Sequence, residues 1–151
     1  MLLAHTYRGE RCKELGEMEM EHDTIFIVED DEAIREGLRF FLEDEGYTVV
    51  TAHDGQAALE ILPTLAGPTV ILLDLVMPRL DGYGVLRELA DHPEKRDSHP
   101  IFLMTAHVNH LTPEVVHLLG ILGIPVLPKP FDLEQLKEQI RSAFVRLKEQ
   151  P

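Results

Sequence analysis

The sequence predicts a doubly wound α/β sandwich, a five-stranded parallel sheet in (βα)5 order with helices on both faces. Three observations carry that prediction. Five short apolar, β-rich runs recur along the chain, and amphipathic stretches with helical spacing separate them. Several of the runs are apolar throughout instead of alternating, as strands covered on both faces require. A strand, helix, strand order then implies right-handed crossovers within one parallel sheet.

The strands are expected at "TIFIV" (24–28), "YTVVTA" (47–52), "TVILLD" (69–74), "PIFLM" (100–104) and "IPVL" (124–127). Between the first two, Ile34, Leu38, Phe41 and Leu42 form a helical stripe over 31–45. Asp31 stands directly before "EAIREGL" and reads as the N-cap of that helix, not as a ligand. Ala58, Ile61, Leu62 and Leu65 mark a second helix over 54–65, and a third starts in "LDGYGVLREL" with Asp81 as its cap. A fourth spans about 112–121. Leu133, Leu136, Ile140, Phe144 and Leu147 mark the fifth over 131–149, capped by Asp132. Pro78 and Gly82 read as turn devices.

Length and charge bound the function. The 151 residues suit one domain with a sizeable core, and no apolar run approaches the ~20 residues of a membrane span. Residues 1–22 are rich in charge, lack a sustained apolar period and are expected to be a poorly ordered tail before a domain over 23–150. The last helix runs to the final residues, so no output domain is expected. No secretory pattern opens the chain, and the single cysteine, Cys12, cannot form an intrachain disulfide, which points to a cytoplasmic protein. The net charge of −13, from 14 basic and 27 acidic residues, argues against direct nucleic-acid binding or membrane insertion.

Most of those acids belong on a solvated surface, but a few stand in unusual places. In an open parallel sheet, ligands bind outside the carboxyl ends of the strands. The first strand ends in "VEDD", the third in "LLD", the fourth in "LMTA" and the fifth in "LPKP". Glu29, Asp30, Asp74, Thr105 and Lys129 are therefore expected at one edge. Three carboxylates a few Å apart would raise one another's pKa unless a cation sat among them. Oxygen-only ligands select a hard divalent ion, and Mg²⁺ fits best. With a lysine and a hydroxyl opposite, the arrangement suits a phosphoryl group. His107 and His110 sit in an expected loop without a third ligand nearby, so no transition-metal site is expected there.

The motifs "IFIVEDDEAIREGL", "VILLDLVMPRLDG", "FLMTA" and "LPKPF" together make residues 23–149 resemble the response-regulator receiver domain of two-component signalling, a flavodoxin-like fold. The resemblance implies that Asp74 is the phosphoacceptor, that Asp30 ligates Mg²⁺ directly and that Glu29 acts through a bound water. It also implies that the Val76 carbonyl completes the metal site, that Thr105 and Lys129 engage the phosphoryl oxygens, and that the Lys129–Pro130 bond is cis. The aromatic usual three residues before the lysine is Val126 here, and the segment from Thr105 to Lys129 is a residue or two long for the family.

The implied function is a single-domain response regulator, a signalling protein and not an enzyme, phosphorylated on Asp74 by a histidine kinase or phosphotransfer protein. Its output passes to a downstream protein target or along a relay. A receiver-like binding module that is never phosphorylated is the alternative. A haloacid-dehalogenase-type phosphatase is a weaker one, because it needs a general acid where Val76 stands. On a helical wheel through 114–122, Val115, Leu118, Leu119 and Leu122 face the core, whereas Glu114, His117, Gly120 and Ile121, with Val116 at the margin, face outward. That weakly polar outer strip suits a homodimer seam or a partner site.

Overall fold

Thr24–Val28 (β1) is buried along its whole length and lies inside the sheet, one strand in from its edge. The chain, here a computed structural model describing residues 23–96 and 99–149, continues through Glu32–Asp44 (α1), Thr48–Ala52 (β2), Gly55–Ile61 (α2) and Thr69–Asp74 (β3). Gly82–Ala90 (α3), Ile101–Thr105 (β4), Pro113–Leu122 (α4), Val126–Pro128 (β5) and Leu133–Glu149 (α5) complete it. The expected tail over 1–22, Cys12 and the last two residues lie outside the described residues. All strand pairs are parallel, in the order β2-β1-β3-β4-β5, so the doubly wound five-stranded sheet is as expected.

The continuous apolar runs divide between two cores because successive side chains on a strand point to opposite faces. Phe26, Val28, Ile71 and Leu73 pack with Ala58, Leu86, Leu89, Val115 and Leu119 of α2, α3 and α4. Ile25, Ile27, Val70 and Leu72 pack with Leu38, Leu42, Leu136, Ile140 and Phe144 of α1 and α5. Each of the larger side chains here, fully buried, contributes about 1.5–3 kcal/mol. The two layers hold β1 and β3 in register from Thr24 opposite Thr69 to Val28 opposite Leu73, which places the ends of both strands side by side.

Several boundaries differ from the expected ones for local reasons. Tyr47 stacks on Phe144 with ring centroids 5.5 Å apart, and β2 begins after it. Pro63 has no N–H to continue an α-helical ladder, so α2 stops at Ile61 and a 3₁₀ turn, Leu62–Thr64, follows. Gly123 takes a left-handed conformation (φ 66°) that closes α4, and Ile124 then donates its N–H to Leu119, which delays β5 to Val126. A single helical turn, Pro93–Arg96, was not anticipated.

The caps fall where the sequence places them. Asp31 accepts from Ile34 N–H at 3.0 Å, Asp81 from Gly84 at 2.9 Å, and Asp132 from Glu134 and Gln135 at 3.0 and 3.2 Å. Gly82 does more than turn the chain. It is the first residue of α3 and donates to the Leu75 carbonyl at 2.9 Å, and a Cβ there would collide with the Asp74 carbonyl oxygen.

Candidate functional site

The carboxyl ends of β1, β3, β4 and β5 meet at one edge of the sheet, and the polar residues that end them converge there. Glu29 follows β1 directly and its N–H donates to the Ala52 carbonyl at 3.1 Å, so the strand ladder holds its backbone. Its side chain is buried, as is that of Asp74, the last residue of β3, whereas Asp30 is exposed. One carboxylate oxygen from each of Glu29, Asp30 and Asp74 lies within 4.8 Å of the others. Among the described residues this is the one such group of three, and His107 and His110, with ring centroids 6.2 Å apart, gain no third ligand.

Lys129 enters from the other side. Its N–H donates to the Thr105 carbonyl at 2.8 Å, which ties the end of β5 to β4, and the Lys129–Pro130 peptide bond is cis, as the resemblance implied. From that backbone its Nζ donates to Glu29 Oε2 at 2.7 Å and lies 3.2 Å from Asp74 Oδ1. Glu29 Oε1 also accepts from the Asp31 N–H at 3.2 Å. Thr105 is buried at the end of β4, where its Oγ1 accepts from the His107 N–H at 3.0 Å. That bond uses the hydroxyl as an acceptor and leaves its proton to be given elsewhere.

Electrostatics follow from this crowding. Burial, and then the neighbouring charge of Glu29, push the Asp74 carboxyl up to about 7, against the pull of Lys129. For Lys129, burial pushes the ammonium down, but the hydrogen bond to Glu29 and the charge of Asp74 outweigh it and the net shift is upward. Negative charge at this edge thus exceeds what one lysine offsets. A set of carboxylate oxygens with one exposed member suits a hard divalent cation such as Mg²⁺, which binds through few carboxylates and keeps several waters.

Val76 lies two residues beyond Asp74 with its side chain 62% exposed. Its aliphatic chain offers no proton for general acid chemistry. Val126 is half-buried against the core beneath α4. The α4 faces divide as the wheel indicates, with Val115 and Leu119 buried and Val116 and Ile121 exposed. Inspection of the sequence missed two features. Arg35 donates to the carbonyls of Glu29 and Asp30, at 2.9 and 3.3 Å. Asp54, buried beside Arg79, caps α2. The spacing of Arg35, one helical turn past the Asp31 cap, was the signal available for the first.

No helix among the described residues is long and apolar enough to cross a membrane. Residues 25–141 match the response regulator receiver domain family. Response regulator MprA of Mycobacterium ulcerans is 42% identical over 124 residues, which are 82% of this chain and 51% of that protein, and MprA of Mycobacterium tuberculosis H37Rv is 40% identical over the same shares. The chain thus spans about half the length of these curated relatives. Among solved structures, a CheY-like receiver domain from Methanospirillum hungatei aligns with a TM-score of 0.74 and 27% identity, over 86% of this chain and all of that one. The receiver domain of a signal transduction histidine kinase from Syntrophus aciditrophicus aligns with a TM-score of 0.71 and 29% identity, over 85% of this chain and 94% of that one. With its fold, this match over most of its length and these relatives, the chain belongs to the response regulator receiver domain family.

Proposed function

We propose that the chain is a phosphorylation-controlled signalling switch, in which Asp74 accepts a phosphoryl group from a phosphohistidine on a histidine kinase or phosphotransfer protein. The observation that carries this reading is the meeting of Glu29, Asp30 and Asp74 within 4.8 Å at a strand edge that also receives Lys129. Asp30, Asp74 and the Val76 carbonyl would hold Mg²⁺, and Glu29 would act on it through a water. When bound, the ion offsets the charge on the transferring phosphoryl oxygens.

The chain's own residues do the rest. A carboxylate oxygen of Asp74 attacks phosphorus, the P–N bond breaks, and its electron pair leaves with the imidazole, which takes up a proton. Lys129 Nζ turns from Glu29 to a phosphoryl oxygen, and the Thr105 hydroxyl donates to another. Moving a two-state equilibrium from mostly inactive to mostly active takes about 5.5 kcal/mol. A charge-assisted hydrogen bond supplies roughly 1.5–3 kcal/mol, and because Lys129 exchanges Glu29 for the phosphoryl oxygen, the two bonds supply part of that. The protein works in the cytoplasm and passes its signal to a downstream protein, a relay or a second copy through the face bearing the exposed Val116 and Ile121.

Incubation with Mg²⁺ and acetyl phosphate tests the reading. A hydroxylamine-sensitive phosphate on Asp74, lost in Asp74→Asn, is expected. No labelling of the parent, or undiminished labelling of Asp74→Asn, overturns it.

A further inference from the structure

We propose that Arg35 is a positioning residue for the cation site, holding the backbone from which Glu29 and Asp30 project so that their carboxylates meet Asp74. This rests on the reading of the three acids as a cation site. The two acids are not equally anchored. Glu29 is buried and its carboxylate is held by Lys129 and by the Asp31 N–H, at 2.7 and 3.2 Å. The Asp30 carboxylate is exposed and, among the described residues, receives no hydrogen bond, so its place is set by its backbone alone.

The Glu29 N–H still donates to Ala52 on the strand side, but the carbonyls of Glu29 and Asp30 lie between the two ordered elements. The β1 ladder ends at Val28, and the helical bonds of α1 start at the Asp31 carbonyl, which accepts from the Arg35 N–H at 2.9 Å. The carbonyls of Glu29 and Asp30 fall in the gap. Arg35, half-buried in the first turn of α1, reaches back over its own helix start and donates one guanidinium nitrogen to both, at 2.9 and 3.3 Å. It thereby pins the segment to the helix. Groups that orient metal ligands in this way commonly change metal affinity 10–100-fold when removed.

A guanidinium also carries charge, and repulsion of a divalent ion works in the opposite direction. Arg35→Gln and Arg35→Lys separate the two effects. Mg²⁺ is titrated calorimetrically into the parent and both variants of the full chain, with no phosphodonor present. Urea melts without Mg²⁺ report the fold. Positioning predicts a Kd for Mg²⁺ about 10-fold higher in Arg35→Gln, with Arg35→Lys between it and the parent. In acetyl phosphate labelling, the half-saturating Mg²⁺ concentration should rise by the same factor while the plateau rate stays within about 2-fold. A Kd in Arg35→Gln equal to or below the parent's overturns the proposal, as does an Arg35→Lys that binds more weakly than Arg35→Gln, because charge then dominates. A parent that binds no Mg²⁺ removes the cation site itself and this inference with it.

Discussion

Asp54 and Asp74 are both buried aspartates, 2% and 4% exposed, near the carboxyl ends of β2 and β3, the two strands that flank β1. Their carboxyls are nonetheless displaced in opposite directions. Asp54 Oδ1 accepts the Ala57 N–H at 2.8 Å, and Oδ2 lies 3.6 Å from His53 Nε2 and 3.5 Å from Arg79 Nη1. The helix N–H foremost, with His53 and Arg79, holds its carboxyl below the ordinary value despite burial. Asp74 has Glu29 beside it and shares one lysine with that second acid, and it is pushed up to about 7. Burial is the largest cause at Asp74 and the charge of Glu29 adds to it, whereas at Asp54 the Ala57 N–H outweighs burial. One aspartate is spent on holding a helix start. The other stands in a group of three carboxylates that one lysine does not balance.

Removing the shared cation should have the largest effect on stability. Lys129→Met leaves Glu29 and Asp74 facing each other in a buried site, and at pH 8 without Mg²⁺ it should cost about 2–3 kcal/mol in urea melts. Added Mg²⁺ should recover part of that loss, since a ligand of the folded state stabilises it by mass action. A variant as stable as the parent would mean that the two acids do not depend on Lys129.

A smaller change of opposite sign is expected for Asp74→Asn. The folded carboxyl, at about 7, titrates above its ordinary value of 3.8, so between those pH values the folded state binds more protons than the unfolded one. Stability from the protonated carboxyl is complete below pH 4 and is lost as pH rises through 7. The asparagine variant has no such loss. Without Mg²⁺ it should match the parent near pH 4 and exceed it by about 1–2 kcal/mol at pH 8. Equal stability of the two proteins across that range would remove the contrast with Asp54.

Asp54→Ala should show the mirror-image dependence. Its folded pKa lies below the unfolded one, so its contribution is present above pH 3.8 and is lost as pH falls through the folded value. Thermal melts at pH 7 should give a Tm lower by several degrees, with the two curves converging in acid. Mg²⁺ should bind the variant as it binds the parent. A Tm difference that grows in acid would reverse the assignment of Asp54 as an anchored cap.

The element order, the caps at Asp31, Asp81 and Asp132, the buried and exposed sides of α4, and the gathering of Glu29, Asp30, Asp74, Thr105 and Lys129 at one sheet edge were all legible in the sequence. Each depends on a local period, on a residue type at a helix start, or on the rule that parallel strands present their carboxyl ends together. Tertiary structure alone decided which of those residues touch. Lys129 finds Glu29 across a hundred residues of chain, and Asp54 meets Arg79 because a loop after β3 folds back on a turn after β2. No sequence period spans such separations. Strand register, burial in two cores and the steric room left by Gly55 and Gly82 set distances of a few Å between side chains, and those distances determine which aspartate is a cap and which carries displaced charge.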